Sequence, residues 1–308
     1  MPRPGLRRSR RVALPLATAL AVVAGLLAAP IPAGAAVVQV KLKARHSLIK
    51  VARGVRMRAW TFNGQVPAPL IRVREGDRVE VTLVNRAIAH GNHRPGTWHS
   101  IDFHAARVAP NLAFKSVAPG ERHTFSFVAE RPGVYLYHCG TSPVLEHLGR
   151  GMYGAIVVDP AEGRPPAKEI TLVQSEYYGE VRKHRLRPSL EAMRHGSPTF
   201  VAFNGRAFRY VTHPITVPVD RPVRIYVVDG GPTLDSNFHV IGTIFDVVQP
   251  DGSPFNELHD VSTHLVPAGG AALFELTFPE QGDYPFVTHA FRFADAGAIG
   301  RFVAREPG

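Results

Sequence analysis

The residues best suited to bind a metal lie around the only cysteine of the chain, Cys139. His147 follows this cysteine by eight residues, and Met152 follows the histidine by five. A thiolate, an imidazole and a thioether on one loop after a strand are the ligands of a blue-copper site. One cysteine permits no internal disulfide, so a metal ligand, a reactive thiol or an intermolecular bridge must account for it. Met152 as an ordinary core side chain is the alternative reading.

The neighbouring residue, His138, indicates a second metal site. Adjacent residues of a strand point to opposite faces, so a strand that gives Cys139 to one site gives His138 to another. Upstream, His99 and His104 are five residues apart and face opposite ways on an extended strand, whereas Asp102 and His104 share a face. Two imidazoles are too few for tight binding, so a third ligand must come from elsewhere. Asp102 is expected to donate protons or support a ligand; turn capping by Asp102 and purely structural histidines are the alternatives.

The elements that position these residues are short β-strands separated by Gly, Pro, Asn and Asp. This pattern predicts an all-β fold of Greek-key β-sandwiches. Helical periodicity is scarce, and Ser189–His195 is expected to form one short helix. The predicted strands include Arg78–Val84, His123–Val128, Val134–Tyr137, Ala155–Val158, Val223–Val228 and Ala272–Phe278.

The chain also repeats itself. Phe62-Asn63-Gly64 recurs as Phe203-Asn204-Gly205, and Trp98-His99 recurs as Phe238-His239. The repeat predicts two tandem domains, residues 36–160 and 167–308, joined by a linker near Asp159–Pro166. Thr288 stands in the second copy where Cys139 stands in the first, so the second copy cannot hold a thiolate-bound copper.

The first 35 residues read as an export signal. Five arginines are followed by an apolar stretch and by Ala33-Gly34-Ala35, a small-residue cleavage site. Arg10-Arg11 resembles a twin-arginine signal, which predicts export to the periplasm or cell envelope. A membrane anchor is disfavoured because the apolar part is shorter than about 18 residues and contains Pro15. Removing the five arginines lowers the net charge from +11 to +6. The remaining charge is spread along the sequence, which favours solubility or an acidic partner over nucleic-acid binding.

At these motifs the chain resembles the two-domain copper nitrite reductases, whose domains are cupredoxin-like. The resemblance covers nearly the whole mature chain. It includes three stretches of the first domain and three of the second, namely Phe62–Pro69, His99–His104, Tyr137–Gly154, Phe238–Gly242, Val266–Gly270 and Val287–Phe291.

The resemblance implies one type 1 copper and one type 2 copper per chain. Asp102 and His239 match the family's catalytic residues, and Ile241 matches the apolar residue of the nitrite pocket. The type 1 ligands would be His99, Cys139, His147 and Met152, and the type 2 ligands His104, His138 and, from a neighbouring subunit, His289.

The same resemblance implies a homotrimer that reduces nitrite to nitric oxide. A small cupredoxin or a cytochrome c would donate the electron, which passes through Cys139-His138 from the first copper to the second. Two stretches depart from the family, His90–Gly96 and Arg107–Lys115, and both could border the metal sites or the donor surface.

Three other functions compete with this reading. A laccase-like multicopper oxidase needs paired histidines one residue apart, and no His-x-His occurs in the sequence. A blue-copper electron carrier or copper-binding protein with a vestigial second site remains the main alternative. A purely structural sandwich would leave the lone cysteine and its ligand set unexplained.

Overall fold

The computed structural model describes residues 35–87 and 97–306. The predicted signal, apart from its last residue, and the His90–Gly96 stretch lie outside these ranges. Within them, no helix is long and apolar enough to span a membrane.

The described residues of the first half form eight strands and two short helices. The strands are β1 Val37–Ala52, β2 Val55–Phe62, β3 Ile71–Arg74, β4 Arg78–Asn85, β5 Asp102–Phe103, β6 Arg122–Val128, β7 Gly133–His138 and β8 Tyr153–Asp159; the helices are α1 Pro110–Ala113 and α2 Val144–Gly149.

The second half contains thirteen strands and three short helices. The first strands are β9 Lys168–Tyr177, β10 Gly179–Arg182, β11 Arg185–Pro188, β12 Phe200–Phe203, β13 Ile215–Pro218, β14 Pro222–Asp229 and β15 Ser236–Val240. The remaining strands are β16 Phe245–Pro250, β17 Leu258–Val261, β18 Thr263–Val266, β19 Ala271–Thr277, β20 Gly282–Thr288 and β21 Ile299–Arg305; the helices are α3 Leu190–Arg194, α4 Arg209–Thr212 and α5 Phe291–Asp295.

Two sheets enclose the core of the first half. One has the order β10-β11-β2-β1-β4-β6 and the other β3-β8-β7-β5. Strand β1 pairs antiparallel with β2 and parallel with β4. Side chains of β4 alternate between buried and partly buried, as expected for a strand with one face on a core. Cys139 and Met152 belong to that core.

The second half repeats this arrangement with sheets of order β12-β9-β14-β19-β16-β17 and β13-β21-β20-β15-β18. The repeated Asn residues have the same structural role in both halves. Asn63 and Asn204 have φ of 56° and 51°, and the side-chain oxygen of each accepts a backbone N–H, from Lys43 at 2.7 Å and Val173 at 2.8 Å. The sequence repeat therefore marks one turn that both sandwiches need.

The two halves pack against each other within one compact unit. Leu136 and Tyr153 of the first half share an apolar cluster with Tyr226 and Leu273 of the second. The domain boundary near Asp159–Pro166 stays a prediction.

The all-β fold is confirmed, and the six strands predicted in the sequence are present with ends shifted by at most two residues. The predicted short helix also forms, with Ser189 as its N-cap accepting a hydrogen bond from the Ala192 N–H at 3.2 Å. The Arg107–Lys115 stretch contains helix α1.

Candidate metal centres

A first group of metal donors is buried inside the sandwich of the first half. The Sγ atom of Cys139 lies 3.1 Å from Nδ1 of His147 and 4.0 Å from Nδ1 of His99. The two histidine Nδ1 atoms are 3.3 Å apart. None of the three side chains is more than 1% exposed. A thiol and two imidazole nitrogens thus converge on one point that solvent does not reach.

Backbone hydrogen bonds hold the loop that carries these donors. Cys139 follows the last residue of β7, and its N–H donates to the carbonyl of Met152 at 3.0 Å. The Met152 N–H in turn donates to the carbonyl of His147, which lies in α2, at 3.1 Å. These bonds close the loop on itself, so Met152 is fully buried beside the cysteine backbone. His99 is fixed separately by a two-bond bridge to Val117.

Burial sets the protonation of this group. It raises the pKa of the Cys139 thiol, which the Ser100 N–H partly offsets by donating to Sγ at 3.4 Å. Burial also lowers the pKa of His147 to about 4, with a smaller contribution from the charge of Arg150. The imidazole is therefore neutral at physiological pH, as a metal ligand must be.

Trp60 forms an aromatic wall on this group. Its ring meets that of His147 edge-on with centroids 4.8 Å apart, and that of His99 at 6.0 Å. The guanidinium of Arg150 lies 4.5 Å from the Trp60 ring centroid and pairs with Glu146 at 2.7 Å. No sequence pattern singles out Trp60 or Ser100, because neither side chain supplies a ligand atom and only the tertiary contacts reveal them.

A second group of donors lies on the other side of the His138-Cys139 dipeptide. The Nε2 atoms of His104 and His138 are 3.1 Å apart, and Asp102 Oδ2 lies 3.9 Å from Nε2 of His138. Asp102 pairs with His138 across β5 and β7. Strand β5 contains only Asp102–Phe103, so His104 reaches this face from the turn that follows rather than from a longer strand.

The orientation of His138 is fixed by its own backbone. Its Nδ1 lies 3.0 Å from the carbonyl oxygen of Cys139, to which it donates, leaving the Nε2 lone pair directed at His104. Burial lowers the pKa of His138, and the hydrogen bond to the carbonyl opposes that shift. The His138 ring is thus hydrogen-bonded through Nδ1 to Cys139, a member of the first group. Its Nε2 atom belongs to the second group.

The second half brings together the other predicted residues. The rings of His239 and His289 have centroids 5.3 Å apart, and Phe291 packs against His289 at 4.8 Å. Nδ1 of His239 donates to the carbonyl of Ser262 at 2.6 Å, and Ile241 is 41% exposed. In the part of the chain that the structure describes, the donor group of His104 contains Asp102 and His138 but not His289.

Comparison with known proteins places this geometry in a family. Models of the multicopper oxidase family match residues 43–163 and 183–308. The copper-containing nitrite reductase of Neisseria meningitidis is 40% identical over 272 residues, covering 86% of this chain and 68% of that protein. This chain belongs to the copper-containing nitrite reductases. It is accordingly an oxidoreductase of a copper-dependent family.

Solved copper-containing nitrite reductases share the fold. That of Nitrosomonas europaea superposes with a TM-score of 0.79 at 38% identity, covering 87% of this chain and 94% of the other. That of Thermus scotoductus superposes with a TM-score of 0.79 at 35% identity, covering 88% and 62%.

The donor sets of this copper-containing nitrite reductase fit copper. A buried thiol with two imidazoles and a nearby methionine suits a soft copper ion, whereas imidazoles with an open side suit a copper that must bind a further ligand. His104 is exposed, so the second group has that open side.

Proposed function

We propose that this chain reduces nitrite to nitric oxide, using one type 1 copper and one type 2 copper per chain. The observation that carries the proposal is the placement of two adjacent residues, Cys139 and His138, in separate donor groups. Nitrite, one electron and two protons give nitric oxide and water. When bound, copper would supply the one-electron redox chemistry and a Lewis-acid position for nitrite.

The type 1 ligands in this proposal are His99, Cys139, His147 and Met152. Their complete burial keeps water away, and Trp60 keeps the His147 ring in place. The covalent path from Cys139 to His138, reinforced by the hydrogen bond between the His138 ring and the Cys139 carbonyl, would conduct the electron between the two groups.

The protons would come from Asp102 and His239. Asp102 borders the second donor group, so its carboxyl group can hydrogen-bond nitrite and donate a proton to it. His239 donates from Nδ1 to the Ser262 carbonyl, which directs its Nε2 away from that bond and leaves it available to relay the second proton. Ile241 would form the apolar wall of the nitrite pocket.

The type 2 ligands would be His104 and His138 of one subunit and His289 of its neighbour in a homotrimer. Two features support a shared site: the group around His104 lacks a third imidazole within the described residues, and His289 is exposed. The surface around His289 is also apolar, since Ile241, Leu265 and Phe291 are each 41–51% exposed. A subunit contact would bury these side chains.

The sequence supports export by a twin-arginine signal to the periplasm or cell envelope. A small cupredoxin or a cytochrome c would then be the electron donor, because both operate in that compartment.

Copper content, spectra and nitrite turnover test the proposal together. Two coppers per chain, a thiolate charge-transfer band and nitric oxide release from nitrite with an artificial donor are expected. Replacing His289 by Ala should remove the type 2 copper and leave the band; loss of the band would contradict the assignment. One copper per chain without turnover would favour the electron carrier instead.

A further inference from the structure

A cavity rich in basic side chains is lined by none of the residues assigned above. It has a volume of about 500 Å³ and lies between the β1–β2 turn and the β10–β11 turn. None of the described residues that line it is acidic. The basic residues that line it are Lys50, Arg53, Arg56, Lys183, His184, Arg185 and Arg206.

The pairing of strands from the two halves creates this concentration of charge. Strand β11 runs parallel to β2, which places Arg185 directly beside Arg56, and the Arg56 N–H donates to the His184 carbonyl at 3.0 Å. Like charges on neighbouring strands repel each other. Within residues 35–87 and 97–306, no salt bridge neutralises any of the lining residues.

Two of the lining residues, in the β10–β11 turn, have an unfavourable backbone conformation. Lys183 and His184 have φ of 49° and 61°, in the left-handed region that two-residue hairpin turns usually fill with Asn and Gly. Lys183 adds a positive charge to the cavity, and His184 adds an imidazole, at positions where smaller residues would make an easier turn.

Arg206 supplies an independent sign of a missing ligand. Its Nε atom is buried and has no hydrogen-bond partner among the residues that the structure describes. A buried N–H without a partner is costly, and an oxyanion satisfies a guanidinium well. Arg206 and Lys50 also line a second cavity, of about 510 Å³, to which Arg209 and His213 contribute further basic groups.

We propose that this basic cavity binds a ligand with clustered phosphate groups. Guanidinium groups match phosphate oxygens in geometry, and several cations without counter-charges favour a polyvalent anion over a monovalent one such as nitrite or chloride. The volume lies within the ~300–1,000 Å³ of small-molecule sites, which leaves room for more than one phosphate. Free oligophosphates and the phosphate headgroups of a membrane share this chemistry.

The ligand would also join the two halves of the chain. Lys50, Arg53 and Arg56 belong to the first half, whereas Lys183, Arg185 and Arg206 belong to the second. A bound polyanion that contacts both sets should therefore raise the thermal unfolding temperature of the protein.

Calorimetric titration of the copper-loaded protein with pyrophosphate at about 0.15 M salt tests the proposal. We expect saturable binding that K183Q/R185Q weakens at least tenfold, while K41Q/K43Q, a control of equal charge on the exposed part of β1, does not. Nitrite turnover and copper content should be the same in all three proteins. Nitrite or chloride at equal ionic strength should not compete.

Vesicles distinguish the two phosphate sources. Binding to phosphatidic acid vesicles that K183Q/R185Q abolishes, without binding of free pyrophosphate, would assign the site to headgroups. Absence of binding to both probes, or binding that K183Q/R185Q and K41Q/K43Q weaken equally, would overturn the proposal.

Discussion

The ring of Trp60 lies edge-on against that of His147, with centroids 4.8 Å apart, and only 6% of the tryptophan is exposed. Trp60 offers no ligand atom but fills the space beside the first donor group. It also separates that group from the ion pair of Arg150 and Glu146.

Replacing Trp60 by Leu should therefore destabilise the protein without removing its copper. The lost packing is expected to cost about 2–4 kcal/mol of unfolding free energy and to shift the thiolate charge-transfer band. Denaturant unfolding and the optical spectrum measure both effects. W98L is the matched control, because Trp98 is 45% exposed and its loss should cost less than about 1 kcal/mol. Equal effects of the two substitutions would contradict this role for Trp60.

Replacing Asp102 by Asn should lower nitrite turnover by about 10²–10⁴-fold, because an amide cannot donate the proton that the carboxyl group supplies. Copper content should be unchanged. The control D246N alters an exposed aspartate outside both donor groups and should retain full activity. Turnover of D102N within about twofold of the unmodified enzyme would exclude Asp102 as the proton donor.

Mixed trimers test whether the second donor group is completed by a neighbouring subunit. H104A and H289A should each be inactive alone. Co-expressed in equal amounts, they should regain roughly a quarter of the activity, since that share of random interfaces joins an intact His104 to an intact His289. Co-expression of H104A with H138A is the control and should restore nothing, because both changes affect the same side of the site. Failure of H104A and H289A to complement would argue against a shared site.

Stability should depend on pH through a buried carboxyl group in the second half. Burial raises the pKa of Glu176 to about 7, although its carboxyl group accepts hydrogen bonds from Tyr178, Thr233 and Leu234. The unfolded chain loses this proton near pH 4.5, so the folded state binds it more tightly between the two values. The stabilisation is complete at low pH and is lost as pH rises through about 7, by roughly 3 kcal/mol.

Denaturant unfolding between about pH 5 and 8 measures this slope. E176Q, which mimics the protonated form, should flatten it. Burial also raises the pKa of Asp229 well above its usual range, so a smaller slope of the same sign should remain. Parallel pH profiles for the variant and the unmodified protein would show that Glu176 does not titrate in this range.

Much of the fold could be predicted from the sequence because local patterns of residue type determine its strands and helices. Alternating apolar residues identified β4, and Ser189 identified the start of α3. The sequence also predicted that His99 and His104 face opposite sides. That prediction assumed an extended strand that is longer than β5. The strand ends at Phe103, and His104 reaches its face through a turn that no periodicity signals.

The sequence by itself determined the donor types, their spacing and the alternation that sends Cys139 and His138 to different sides, because these follow from residue identity and strand geometry. Only the tertiary structure decided what surrounds them. Trp60 comes from a distant strand, and the basic residues that look evenly spread along the chain converge where β11 pairs with β2. Pairing between strands that are distant in sequence forms both the surroundings of the metal donors and the basic cavity. This pairing depends on the whole core rather than on any local motif.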